Sequence, residues 1–259
     1  DKVRQYGSVK LDLDKAALLS RRSVDRNIVR TKAGLGEIYK TNLLGKIICL
    51  IVNKAASFDP LGIGLEMEAE KPDWYDALNG LPGLMGSSLS ETLELKRLVK
   101  YLLIHLDENV SANLQIEVAN FLEKLAVVLN INSQNHDHLR YWDDSYKIKE
   151  DFRRVTVFGL SGEEKRIDAT TLQTFLQQLE AKCSEAVNQC RQRYGNYYTY
   201  FINDLVEFDH ASNHSLKAKR FEQKPLPLFL EGFVHALRVE KDLEIAKLVK
   251  NSPLYDKKL

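Results

Sequence analysis

Three cysteines in 259 residues are too few to staple a fold. They stand at Cys49, Cys183 and Cys190 with no C-x-x-C spacing, which argues against both a disulfide scaffold and a zinc site. Cys183 and Cys190 are seven apart on an expected helix, on one face but too far along it to bond. Cys49 lies within Ile47–Val52 and reads as a small buried apolar group. That run is also about the longest apolar stretch, against the roughly 20 residues a membrane span requires. No signal peptide is visible, and a reducing, cytoplasmic setting is expected. Charge of one sign is lacking too: 37 basic and 36 acidic side chains leave a net +1. A nucleic-acid partner would announce itself as a basic excess or cluster, so none is expected. G-x-G-x-x-G, Walker A, H-E-x-x-H and G-x-S-x-G patterns are all missing. Nucleotide, zinc-protease and serine-hydrolase chemistry therefore has no support, and neither a metal nor an organic cofactor is expected.

What is present concentrates in Glu66–Arg97. Glu66, Glu68 and Glu70 lead into Lys71-Pro72, then Asp73-Trp74-Tyr75-Asp76 and Asn79-Gly80. Gly80–Gly86 holds three glycines and a proline in seven residues, which excludes regular structure. Ser88 and Glu91 then form a capping box, followed by a helical apolar period at Leu89, Leu93, Leu98, Leu102 and Leu106. An acidic, aromatic loop is thus delivered onto a firmly capped helix. In Asp73–Asp76 two carboxylates flank two rings. Indole faces suit the C–H faces of sugars, and a carboxyl beside aromatic surface is desolvated and shifted toward general-acid duty. The same residues also suit core packing and helix capping, and four residues alone do not choose.

Elsewhere the pattern is helical. Helices are expected over Glu37–Ala56, Ser88–His105, Ala112–Leu129, His136–Arg153, Asp168–Arg193, Leu228–Val239 and Asp242–Lys250, the second and third as an antiparallel pair. Val155–Gly159 and Glu164–Ile167, flanking Ser161-Gly162, give one hairpin signal. Arg21, Arg22, Arg26 and Arg30 read as a solvated basic face, and residues 1–33 as a peripheral lead-in to a single helical domain over 1–259. Arg140, Tyr141, Trp142, Asp143 and Asp144 suit a carbohydrate cleft or core packing. Glu231 and His235 share a helix face, four residues apart, for an ion pair or sugar contacts.

Asp73–Asn79 resembles the D-W-N-D-x-x-N segment of the cellobiose and chitobiose phosphorylases. Gly64–Leu98, together with Leu226–Leu237, Ser252 and Leu254–Leu259, is similar to long bacterial cellobiose-phosphorylase-like proteins. These blocks cover about a fifth of the chain. One departure is Tyr75, where that motif has asparagine. The resemblance implies a mainly α fold, part of an (α/α)6 toroid, with at most one small hairpin. It implies an inverting carbohydrate-active enzyme cleaving a β-linked disaccharide or oligosaccharide by phosphorolysis or hydrolysis. Asp76 would be the general acid, Trp74 the sugar platform, and Tyr75, Asp73, Asn79 and Glu231 further substrate contacts. Inorganic phosphate would be co-substrate in phosphorolysis. A hydrolase would need a base, for which Glu66, Glu68 and Glu231 are the candidates. The alternative is a non-catalytic helical module that binds a glycan or partner, or an inactive part of a larger enzyme. Because the resembled proteins continue past Leu259, the remainder of a longer parent chain is an expected partner; oligomeric state is left open.

Overall fold

The computed structural model describes residues 11–67, 86–107, 109–210 and 216–256. Its helices are α1 (Leu13–Ser20), α2 (Leu43–Ala55), α3 (Leu89–His105), α4 (Ile116–Asn135), α5 (His138–Thr156), α6 (Ala169–Tyr194), α7 (Leu230–Glu240) and α8 (Leu243–Asn251). Polar caps fix where most of them begin. Asn42, Ser88, Asp137, Asp168 and Asp242 each accept a backbone N–H from the first turn of the helix they precede. Ser88 caps as its spacing predicts, but Glu91 reaches sideways to Lys54. Among the described residues no helix is long and apolar enough to cross a membrane.

The toroid expectation is overturned. Of the described residues 55% are helical and 17% are strand, so the fold is mixed α/β, and the helices do not form a toroid. Strands β1 (Leu65–Glu66), β2 (Gly86–Ser88), β5 (Tyr200–His210) and β6 (Leu216–Pro225) build one antiparallel sheet in the order β1-β2-β5-β6. A second sheet pairs β3 (Ala112–Gln115) with β4 (Glu164–Ile167). The expected hairpin is therefore wrong in its partner: Val155 and Thr156 finish α5, and β4 pairs across 49 or more positions of chain, Gln115 opposite Glu164. Four-residue strands are too short to declare a period of two. Leu114, read as the start of a helix, is a buried strand residue instead. The expected α3–α4 pair also fails: α3 packs chiefly on α6 and α7, and α4 on α5.

Two apolar clusters share α3 and α6 as a spine. Leu95, Val99 and Leu102 of α3 meet Leu172, Phe175, Leu176, Leu179 and Cys183 of α6 in one, with α2 and α4 closing over them. Leu89, Leu93, Val187 and Cys190 continue into the other, with Ile63, Tyr197, Phe201, Phe233 and Ile245. Each fully buried large side chain contributes about 1.5–3 kcal/mol. Cys49 is half-buried, a correction to its reading as core. The arginines near the start brace a loop: Arg22 donates to the carbonyls of Arg26, Ile28 and Gly34, and Arg30 to those of Val24 and Gly36.

Helix α7 seats against residues 197–199 through Gly232. A Cβ there would lie 2.3 Å from the Tyr197 carbonyl oxygen, and the Gly232 N–H donates to Thr199 Oγ1 at 2.9 Å. Backbone cannot swing aside as a side-chain tip can. Gly232→Ala is therefore expected to destabilise the fold by about 1–3 kcal/mol in urea unfolding, despite alanine's better helix propensity. An unchanged or raised midpoint would show that α7 is free to shift.

Candidate functional site

The turn after α2 begins at Phe58-Asp59-Pro60, and Asp59 organises it. This side chain has no exposed surface. Its Oδ1 accepts the N–H groups of Leu61 (3.1 Å) and Ile63 (3.0 Å), and its Oδ2 that of Gly64 (2.7 Å). Oδ2 also takes Ser87 Oγ at 2.7 Å and Gln223 Nε2 at 2.8 Å. Burial pushes the carboxyl above its usual range, while these donors pull it back toward ionisation. Gly62, at φ +72°, lies under the His138 ring, where a Cβ would come within 2.4 Å of Nδ1. One carboxylate thus fastens the turn, β2 and β6 together.

The turn delivers β1 into register with β2, Leu65 opposite Ser88 and Glu66 opposite Ser87. Met67 N–H then donates to the Gly86 carbonyl at 3.0 Å. Met67 and Gly86, the described residues on either side of 68–85, thus lie next to each other. Glu68, Asp73, Trp74, Tyr75, Asp76 and Asn79 lie outside the described residues.

Beside Met67 and Gly86 runs a cleft of about 560 Å³ between the start of α5 and the face of the β5–β6 hairpin. Its apolar wall is Leu139, Trp142, Leu205, Leu216, Ala218 and Phe221. Glu66, Asp137 and Asp143 contribute acids, Arg140, Lys147 and Lys217 cations, and Asn203 an amide. Trp142 meets Phe221 edge to face, centroids 5.1 Å apart at 70°, and donates its indole N–H to Glu66 Oε1. The indole is mostly covered, while Phe221 is half-exposed. Asn203 donates to Ser87 Oγ and accepts from Gln223, which joins the cleft to the Asp59 network.

Of the residues singled out in the sequence, Glu66, Arg140, Trp142 and Asp143 meet here. Tyr141 does not: it is core, and its hydroxyl donates to the Ala55 carbonyl. Asp144 pairs with Arg140 and Lys147. Glu231 sits elsewhere, on α7. Tyr200 donates to its Oε2 at 2.9 Å, and its Oε1 is 3.5 Å from His235 Nε2. His235 Nδ1 in turn lies 2.7 Å from Glu94, whose carboxyl stays below its usual range: burial raises it, but Arg97 and His235 more than offset that. The Glu231–His235 spacing thus gives a contact, within a cluster that ties α7 to α3. Sequence reasoning missed Asn203, Phe221 and Gln223; it reads Phe58–Gly62 as a turn but gives Asp59 no role in a site. Asp59 had a signal, since an Asp before Pro and two alternating glycines announces an Asx-type turn.

No protein-family model and no curated protein sequence matches the chain.

Proposed function

We propose that the cleft takes a β-linked oligosaccharide and that Asp76 is the general acid for inverting glycosidic cleavage. The observation carrying this is the hydrogen bond between Met67 and Gly86, the described residues on either side of the D-W-Y-D segment, beside Glu66, itself a cleft residue. An apolar wall rimmed by acids, an amide and cations suits a sugar, whose C–H face and hydroxyls need both. In this reading Phe221 faces a sugar ring and Asn203 a hydroxyl. Asp76 protonates the leaving oxygen. In phosphorolysis, inorganic phosphate attacks the anomeric carbon from the opposite face. In hydrolysis, a carboxylate about 6.5–9.5 Å from the acid activates water. Of the two candidate bases among the described residues, Glu66 borders the cleft, held by Trp142, and Glu231 does not. The three thiols, none in a disulfide, support a reducing cytoplasm as the setting.

Glycan binding without turnover is the second reading. What favours it is the mixed α/β architecture, which lacks the helical ring implied by the resemblance. The deciding experiment follows phosphate consumption and reducing-sugar release with β-linked disaccharides, alongside calorimetric binding. Turnover that falls at least about a hundredfold in Asp76→Asn, with binding retained, is the expected result. Binding lost in Phe221→Ala without any turnover in the parent would leave the second reading. Turnover indifferent to Asp76→Asn, or no sugar binding at all, would overturn the proposal.

A further inference from the structure

On the opposite side of the Asp59 turn, α6 drives a lysine into the core. Lys182 is 4% exposed. Its Nζ stands 4.1 Å from the Tyr141 ring centroid and 4.8 Å from that of Phe58. It donates one hydrogen bond, to Asn132 Oδ1 at 2.8 Å. Among the described residues no carboxylate lies within ion-pair distance of it; Glu185 and Asp59 act on it only from further off. Asn132, on α4, is equally buried. Since its Oδ1 faces the ammonium, its Nδ2 is turned away, and that donor meets no acceptor among the described residues. Both residues border a groove of about 700 Å³ between α4 and α6.

Two buried donors on residues that border one groove, one of them a cation, call for an anionic oxygen, because buried charge is tolerated when paired and buried N–H groups are normally satisfied. We propose that the α4–α6 groove is a binding site for a small carboxylate, held by Lys182 Nζ and Asn132 Nδ2. A singly charged ligand fits better than inorganic phosphate, because Glu180 and Glu185 also border the groove and oppose a second negative charge. The aromatic pair holds the ammonium in place by cation–π attraction while leaving N–H groups for the ligand. Burial pushes Lys182 down to about 8, so the ammonium form, which carboxylate binding requires, fades in mild alkali. Glu185, Cys183 and Asp59 also act on Lys182, and the His138 imidazole is repelled by its charge.

The test titrates acetate against chloride at constant ionic strength, reading the Asn132 side-chain amide resonances and the thermal midpoint. A saturable amide shift and a raised midpoint at pH 7 are expected, with affinity at least tenfold weaker at pH 9.5. Lys182→Met should fold, since a thioether suits the aromatic pair, and should lose the response. Asn132→Asp places a carboxylate against Lys182; it should raise the midpoint without acetate and abolish the acetate response. The proposal is overturned if wild-type protein shows no saturable shift. An acetate response persisting unchanged in Asn132→Asp would overturn it too, whether or not Lys182→Met folds. Phosphate binding tighter than acetate would sink the assignment of a singly charged ligand.

Discussion

Replacing Asp59 with alanine is expected to lower unfolding free energy by about 3–5 kcal/mol in urea titration, because it leaves several buried donors without an acceptor. The N–H groups of Ile63 and Gly64, Ser87 Oγ and Gln223 Nε2 all end on this carboxylate. A hydrated unfolded chain satisfies each of them, so the loss falls on the folded state alone. Asp59→Asn is the informative companion. One amide oxygen cannot serve donors converging on both carboxylate oxygens, and the new NH₂ would face N–H groups. It is expected to be nearly as damaging as alanine. An asparagine variant as stable as wild type would show instead that the carboxyl is protonated in the fold. Loss of the turn would also release β1 and the contact between Met67 and Gly86, so the proposed sugar binding should weaken along with stability.

The second large effect is acid sensitivity through His138. Burial, then repulsion from the Lys182 ammonium, pushes its imidazole down from 6.5 to about 4, with Glu185 pulling back and His136 adding repulsion. Its Nε2 lies 2.9 Å from Gln189 Nε2, and its Nδ1 is buried against Gly62. Between pH 6.5 and 4 the unfolded chain takes up a proton at this site that the folded one resists. Stability therefore falls as pH falls through that window and is fully present above it. The difference corresponds to roughly 2–3 kcal/mol after allowing for screening at the ring's exposed edge. Urea unfolding at pH 7 and pH 4 should show wild type losing that much more than His138→Gln. Equal losses in the two proteins would mean that the ring is protonated without cost.

The contrast between what the sequence announced and what it hid follows from range. Capping and helical period are local, so α3 and α6 were legible from Ser88 and Asp168 and from the stripe Leu172–Val187. The sheets were not. β3 and β4 meet across a long stretch of chain, and β5 passes from a buried first half, Tyr200, Phe201 and Asn203, to an exposed second half with a register shift near Glu207. No alternation survives such a change. The cleft shows the same division. Trp142 and Glu66 stood out as residue types, but their hydrogen bond spans 76 positions. Phe221 and Gln223 become visible only once β6 is laid beside β5.

That hairpin ends the sheet, and β6 has no strand on its far side among the described residues. Lys224, Arg220 and Lys219 are held along it by Asp204, Glu207 and Asp209 of β5, and Pro225 closes the strand without an N–H. An incoming β-segment from another molecule would have to strip water from this fixed row of charges before gaining a single ladder bond. The arrangement that frames the cleft also guards an open sheet edge, so a concentrated solution of the folded chain should resist growing into fibres from that side.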